Sequence, residues 1–325
     1  MITDFNLAGS NVFELFFRRL ETNSFNENTV KFNADTNTSH KYSSDRDLII
    51  EGDGKNKFII NNKLGSINIT GEDRDDIDIK AKITVYSDKK TIAESYAKKI
   101  EIKSLKKDDK IEMKVPLEDK PEEVKGVKID YLIKAPKSMY LELDNQFGIL
   151  EVTNFTNGVD LSNRYQESII KNIAGEDIVI NNKFGSLNLS NVSEGKVMKI
   201  TTAYNKTNIE NIKRNMEINA SYGDTNFYNT KGIILDSKYT DVEFDGINGQ
   251  LKANIKYGNI RVSDVKYDTE IEGKYAEVTV ELARELENYE IEGKTKYGDI
   301  RTNLNKNIRK EDKNKRKRLR EGAFF

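Results

Sequence analysis

A tyrosine or phenylalanine returns about every 18 residues through the last two thirds of this chain. The anchors are Phe147, Tyr165, Phe184, Tyr204, Tyr222, Tyr239, Tyr257, Tyr275 and Tyr297, and their successive separations are 18, 19, 20, 18, 17, 18, 18 and 22 residues. An earlier copy, Asn62-Lys63-Leu64-Gly65-Ser66-Ile67-Asn68-Ile69, nearly recurs at Asn182-Lys183-Phe184-Gly185-Ser186-Leu187-Asn188-Leu189. A fixed period of this kind marks stacked units, none of which can bury its apolar face alone. Such a stack offers long flat faces rather than one deep pocket.

One repeat shows the code. Leu251, Ala253, Ile255 and Tyr257 alternate as one face of a strand,. After Gly258 the parity flips, and Ile260 and Val262 become the apolar members. Glycine reaches backbone angles closed to other residues, so the flip reads as a corner at the residue after the anchor. Gly148, Gly185, Gly223, Gly258 and Gly298 are the expected corner residues, with Asn205 standing in once,. Six residues before the anchor stand Leu141, Val159, Ile178, Met198, Met216, Ile233 and Leu251. Five after it stand Val152, Ile170, Leu189, Ile209, Phe227, Phe244, Val262 and Val280. Eight after it stand Phe155, Ile173, Val192, Ile212, Ile247 and Val265. These columns point inward. Two before the anchor the inward column turns polar, at Asn62, Asn145, Asn163, Asn182, Thr202, Ser237 and Thr295, where stacked amides can bond along the axis,.

The architecture predicted is all-β: a single-stranded, right-handed parallel β-helix with coils of about 18 residues. Coils stacked about 4.8 Å apart would carry nine anchors over roughly 38 Å. An antiparallel barrel or propeller would need a hairpin turn in every repeat, and Asn157-Gly158 is not repeated in that way,.

The period breaks the chain into parts. Residues 1–40 read as an irregular lead-in with one weak amphipathic helix near residues 12–20. Residues 41–140 hold a first coil (Phe58, Ile60, Leu64, Ile67, Ile69), isolated from the others, and a capping block of longer strands and one helix. That helix is placed at residues 91–100, with Ala93, Tyr96, Ala97 and Ile100 on one face,. Open ends of a β-helix are edge strands and need such covers. Residues 141–303 are the repeats. Residues 281–289 lengthen the last of them, and a helical turn would fit there. Residues 304–325 form a basic tail, with nine Lys or Arg between 306 and 320, read as a solvated segment that blunts the second end,.

Composition narrows the chemistry. Charged residues make up 33% of the chain, yet the net charge is only −1, so no global field draws nucleic acid or membrane,. The absence of cysteine removes disulfides, thiol catalysis and cysteine-bound metals,. His40 is the only histidine and falls in the lead-in, where it reads as a solvated loop residue. Glycines are spaced by coil geometry and make no phosphate loop. No apolar stretch approaches the ~20 residues of a membrane helix. Residues 1–11 lack the pattern of a secretory signal. The chain therefore reads as leaderless and soluble, either cytoplasmic or written without an export segment.

The opening Asn-x-x-Gly-x-Ile-x-Ile (Asn62, Gly65, Ile67, Ile69), the strand–helix–strand block closing on Tyr131-Leu132-Ile133-Lys134-Ala135-Pro136, and the Gly-x-[Ile/Leu] repeats come in a specific order. In that order they resemble the bacterial candidate-adhesin family of β-strand-repeat proteins, a domain of unknown function, across residues 45–303. The resemblance implies a single-stranded right-handed β-helix, exported or anchored to the cell envelope, with no established catalytic residues to carry over, and no cofactor is expected. The sequence names no partner; a cell-surface glycan or an envelope protein is the candidate class.

One outward column deserves a chemical test. Two residues after the anchor stand Asp224, Asp241, Asn259, Glu277 and Asp299. Carboxylates stacked about 5 Å apart raise one another's pKa or recruit a hard cation, and Asp224, Asp241 and Glu277 are the candidate cation column. Arg261 and Arg301 lie diagonal to it and could neutralise it,. The plain expectation is a solvated face on a non-enzymatic protein that presents a polar surface. Two alternatives stand beside it. One is a bactofilin-like protein that assembles end to end, which blocked ends would oppose. The other is a polysaccharide-cleaving β-helix that uses the acidic column. Nucleic acid is not an expected partner, and the basic tail could dock on an acidic surface.

Overall fold

The computed structural model describes residues 40–117, 120–281, 290–303, 308–311 and 316–319, the last two stretches as backbone only. The expected helix near residues 12–20 and the expected turn over 282–289 lie outside these residues.

Alternation of apolar and polar residues makes the strands, and the parity flips turn them. The first wall of the solenoid is built by β2 (Lys57–Leu64), β8 (Tyr140–Phe147) and β10 (Val159–Arg164). The second is built by β3 (Ile67–Glu72), β9 (Leu150–Thr153) and β11 (Glu167–Ile173). From β12 (Ile178–Val192) onward, single long strands cross both walls: β13 (Met198–Ile212), β14 (Met216–Thr230), β15 (Ile233–Ile247), β16 (Leu251–Val265) and β17 (Thr269–Val280). The short β18 (Ile291–Lys296) and β19 (Ile300–Thr302) complete the last coil. Neighbouring coils pair in parallel with matched columns, as in Ile218↔Leu235, Leu235↔Ala253 and Ala253↔Ile271. The result is a β-solenoid of about nine turns with coils of about 18 residues, as the period predicted.

The predicted inward columns form the core. Leu141, Val159, Met198, Val152, Ile170, Val262, Phe155, Ile173 and Ile247 are all fully buried, and Phe227 stacks on Phe244 inside it. The polar inward column is also buried, and its first members bond along the axis. Asn62 Nδ2 donates to Asn145 Oδ1 at 3.0 Å, and Asn145 Nδ2 donates to Asn163 Oδ1 at 3.1 Å. Ser168 then bridges Asn163 to Asn182 at 2.9 and 2.6 Å.

The first coil is not isolated. Its strands β2 and β3 pair in parallel with β8 and β9, placing Asn62 beside Asn145 and Ile67 beside Leu150. The intervening block leaves the stack and returns to it. β1 (His40–Glu51), β4 (Asp76–Ser87) and β7 (Val124–Pro136) form antiparallel pairs, and β7 joins β3. A hairpin of β5 (Lys103–Lys107) and β6 (Lys110–Lys114) joins β2. Both walls therefore gain covering strands at this end. The helix α1 (Lys90–Lys99) packs on β1 and β4 and buries Ala93, Tyr96 and Ala97. Arg46 in β1 caps its last turn, donating from Nη2 to the carbonyls of Ala97 and Lys98 at 2.9 and 3.0 Å,. His40 does not lie in a loop: it opens β1, opposite Ser87, and is exposed. At the far end, β20 (Ile308–Glu311) and β21 (Arg316–Leu319) form an antiparallel pair, and β21 pairs antiparallel with β18. Part of the basic tail is thus strand added to the last coil.

Candidate functional site

The corner is made differently from the expectation. The residue with left-handed backbone is the aromatic anchor, not the glycine after it. Tyr165, Phe184, Tyr204, Tyr222, Tyr239, Tyr257, Tyr275 and Tyr297 have φ between 54° and 67°. Of the five predicted corner glycines only Gly223 has φ in the positive region, at 147°. Those glycines answer a different demand. A Cβ on Gly148, Gly185, Gly223, Gly258 or Gly298 would sit 1.9–2.2 Å from a backbone oxygen of the preceding coil. The position alternates up the stack: Gly148, Gln166, Gly185, Asn205, Gly223, Thr240, Gly258, Ala276, Gly298. Gly185, Gly223, Gly258 and Gly298 follow coils with Gln166, Asn205, Thr240 and Ala276 here, Gly148 follows Gly65, and in each case the close backbone oxygen selects glycine,.

Because the anchor turns at the corner, its ring points out. Tyr257 does not share the inward face of Leu251, Ala253 and Ile255; it is 43% exposed while they are buried. The nine rings from Phe147 to Tyr297 form one continuous stack. Adjacent centroids lie 4.6–5.1 Å apart and planes are inclined by 2–17°. Ring faces inside the stack are occupied by neighbouring rings, so the ribbon presents ring edges and the tyrosine hydroxyls.

Two charged columns flank this ribbon. On the first wall, one residue before the anchor, stand Lys238, Lys256, Lys274 and Lys296, adjacent in parallel register and exposed. Lys274 and Lys296 lie over Tyr275 and Tyr297 at 5.6 and 5.2 Å from the ring centres,. On the second wall, two residues after the anchor, runs the predicted acidic column. Asp224 and Asp241 are register partners, as are Asn259 and Glu277. Asp241 accepts from the Asn259 backbone N–H at 2.7 Å, and Glu277 pairs with Arg301 at 2.6 Å. Arg261 turns instead to Glu281 at 2.7 Å. Among the described residues no cluster of three acidic or histidine side chains could hold a metal ion. Asp224, Asp241 and Glu277 are therefore brought into one row, but not into a converging cage.

Three features were missed at the sequence level. A second left-handed corner follows seven residues after each of several anchors, at Asn154, Asn172, Asn191, Asn211 and Asn229, with φ of 49–64°. Their amides bond from coil to coil, as Asn172 to Asn154 at 3.0 Å and Asn229 to Asn211 at 2.8 Å. The recurring asparagine was visible in the sequence. Buried Arg214 was also missed. Its guanidinium donates to the carbonyls of Ser193, Gly175 and Glu194 at 2.7–2.9 Å, and burial pulls its pKa below the ordinary value. The third is a shallow groove of about 310 Å³ on the first wall, where Ala203 and Ser221 leave a gap between Lys183 and Lys238. Elsewhere on that wall, burial and the adjacent Glu142 raise the pKa of Asp160, against the charge of Lys57. Burial, then Asp160, Asp177 and Glu142, push Tyr140 up to about 12. Both are half-buried in neighbouring strands of that wall, beside Glu142.

A parallel β-solenoid with paired left-handed corners, an outward aromatic stack and inward amides defines the class of protein. Residues 29–323 match the Toastrack DUF4097 family model, and the chain belongs to that family. Among solved structures it is similar to a candidate adhesin from Bacteroides fragilis NCTC 9343, with 12% identity, 80% of this chain and 97% of that one covered, and a TM-score of 0.32. A candidate adhesin from Parabacteroides distasonis ATCC 8503 gives 12% identity, 80% and 97% coverage and a TM-score of 0.36. A candidate lipid binding protein from the same strain gives 13%, 80% and 96%, and 0.33. No curated protein matches this chain.

Proposed function

We propose that this protein is a non-catalytic surface-presenting module of the bacterial envelope, an adhesin or scaffold rather than an enzyme. The observation that carries the reading is the repetition itself. Outward side chains recur at coil spacing along flat walls, as in the chain Asn226→Asn208→Asn188 with amide bonds of 3.1 and 2.9 Å. Binding built this way is distributed over many weak, equivalent positions, whereas catalysis needs a few groups converging on one atom. The acidic column supports presentation better than turnover, because its members follow one another in a row along the wall, Asp224 beside Asp241, and do not converge on one point.

Glycan-array binding by the purified protein, together with envelope localisation of the full-length product, tests the reading. Retained binding in the Asp224→Ala/Asp241→Ala variant, with no release of sugar from acidic polysaccharides, is the expected result. Turnover of any polysaccharide that disappears in that variant would defeat it.

A further inference from the structure

The aromatic ribbon lies between a row of cations and a row of anions, and four coils carry both within four residues. They read Arg164-Tyr165-Gln166-Glu167, Lys238-Tyr239-Thr240-Asp241, Lys274-Tyr275-Ala276-Glu277 and Lys296-Tyr297-Gly298-Asp299. The coils between them add Lys183, Lys256 and Asp224 on the matching sides, and only Lys206 stands on the opposite side. We infer that this ribbon is the interface of a parallel homodimer, with the two-fold axis running along the solenoid.

Geometry selects this occupant. A two-fold axis parallel to the solenoid keeps every coil at the same height and exchanges left for right. The lysine row of one copy then faces the acidic row of the other, coil by coil: Lys238 opposite Asp241, Lys274 opposite Glu277. Each ring meets its own symmetry mate along the axis. An axis perpendicular to the solenoid within the interface plane would instead set lysine on lysine. The arrangement also answers a cost within the single chain. Lys238, Lys256, Lys274 and Lys296 are stacked like charges in direct register, which destabilises a sheet,. Among the described residues none of the four has a carboxylate at ion-pair distance. A second copy supplies the missing carboxylates.

The size fits as well. The ring separations of 4.6–5.1 Å give a continuous exposed strip, and at roughly 38 Å long it needs a width of only about 20 Å to reach the ~800 Å² per partner of a standard interface. Tyrosine-rich, contiguous and partly apolar surface of this extent marks an interaction site.

Sedimentation equilibrium of the full chain tests the inference. The expected species has about twice the 37.2 kDa chain mass at micromolar concentration, and weakens as salt rises,. Lys238→Glu/Lys256→Glu/Lys274→Glu should be monomeric, as should Asp224→Lys/Asp241→Lys/Glu277→Lys, with circular dichroism confirming that both fold. Mixed in equal amounts, the two variants should form a heterodimer, because each presents a single sign to the other. The chain has no cysteine, so Tyr257→Cys provides a clean probe of orientation. It should cross-link to itself on oxidation in the folded wild-type background. A wild-type monomer at all concentrations, dimers that survive both charge reversals, or no association in the mixture would each overturn the inference. Monomers that bind anionic vesicles through the lysine row would also overturn it, and would assign the ribbon to a lipid surface.

Discussion

The two corners of each coil solve one backbone problem in opposite ways. Both need a residue at positive φ. The second corner uses mainly Asn154, Asn172, Asn191, Asn211 and Asn229, which tolerate that region and bond to one another through their side-chain amides,. The first corner uses tyrosine and phenylalanine, for which positive φ costs of order 1–3 kcal/mol per residue,. Ring stacking, worth about 0.5–1.5 kcal/mol per pair, offsets that cost and only does so when neighbouring coils supply rings. The asparagine corner is therefore a structural solution that exposes polar amides. The aromatic corner exposes a continuous ribbon, and that difference is why the dimer interface is proposed along it.

The comparison presupposes the coil, so its largest test is the core between the corners. Val262 is fully buried, and Val262→Asp should cost several kcal/mol in chemical denaturation by leaving an unpaired charge in a dry interior. Next comes the close approach beside the aromatic corner. Gly258→Ala places a Cβ about 2.0 Å from the Thr240 carbonyl oxygen, so a loss of roughly 1–3 kcal/mol is expected. Gly54, where a Cβ would meet nothing within 4 Å at φ 68°, should lose less, about 1 kcal/mol, on the same change.

The corners themselves come third. Tyr239→Ala keeps the strained φ of 55° and removes contacts to Tyr222 and Tyr257, for an expected loss of about 1–3 kcal/mol. Tyr239→Gly should be milder than Tyr239→Ala, because glycine relieves the backbone. At the other corner, Asn229→Gly should stay within about 1 kcal/mol of wild type, since two exposed amide bonds, one donated to Asn211 and one accepted from Asn248, are exchanged for a relaxed backbone,. Equal losses for Tyr239→Ala and Asn229→Gly would erase the distinction between the two corners.

The smallest effect concerns pH. Burial and Glu142 raise the Asp160 carboxyl above its ordinary value. The folded state therefore holds that proton more tightly, and the stabilisation present below the unfolded value is lost as pH rises through the folded value. At neutral pH the charged form is a net cost, so Asp160→Asn should raise the melting temperature slightly. Because the group is partly exposed, the gain should stay below about 1 kcal/mol and vanish at acid pH.

How much of this was legible beforehand follows from where alternation holds. Between corners, period two fixes inside and outside, so Leu141, Val159, Val262 and the Asn62–Asn145–Asn163 ladder were identified from the chain alone. At a corner the parity breaks, and local pattern no longer says which residue takes the unusual φ. Tyr257 was assigned inward and Gly258 to the turn, and both assignments reversed. Their roles depend on the carbonyl of Thr240, 18 residues away in sequence but about 2.0 Å from where a Gly258 Cβ would lie. The first coil misled for a related reason: a long insertion separates it from its partners, although Asn62 and Asn145 lie in direct register.

The sequence by itself determined the repeat length, the parallel stacking and the identity of the core, because these follow from spacing along one chain. Tertiary structure alone decided that the anchors face solvent, that their rings stack, and that the ribbon so formed runs between a lysine row and the carboxylate row already legible in the sequence. Those properties belong to the contact between successive coils, where a carbonyl of one coil sets the permitted backbone of the next.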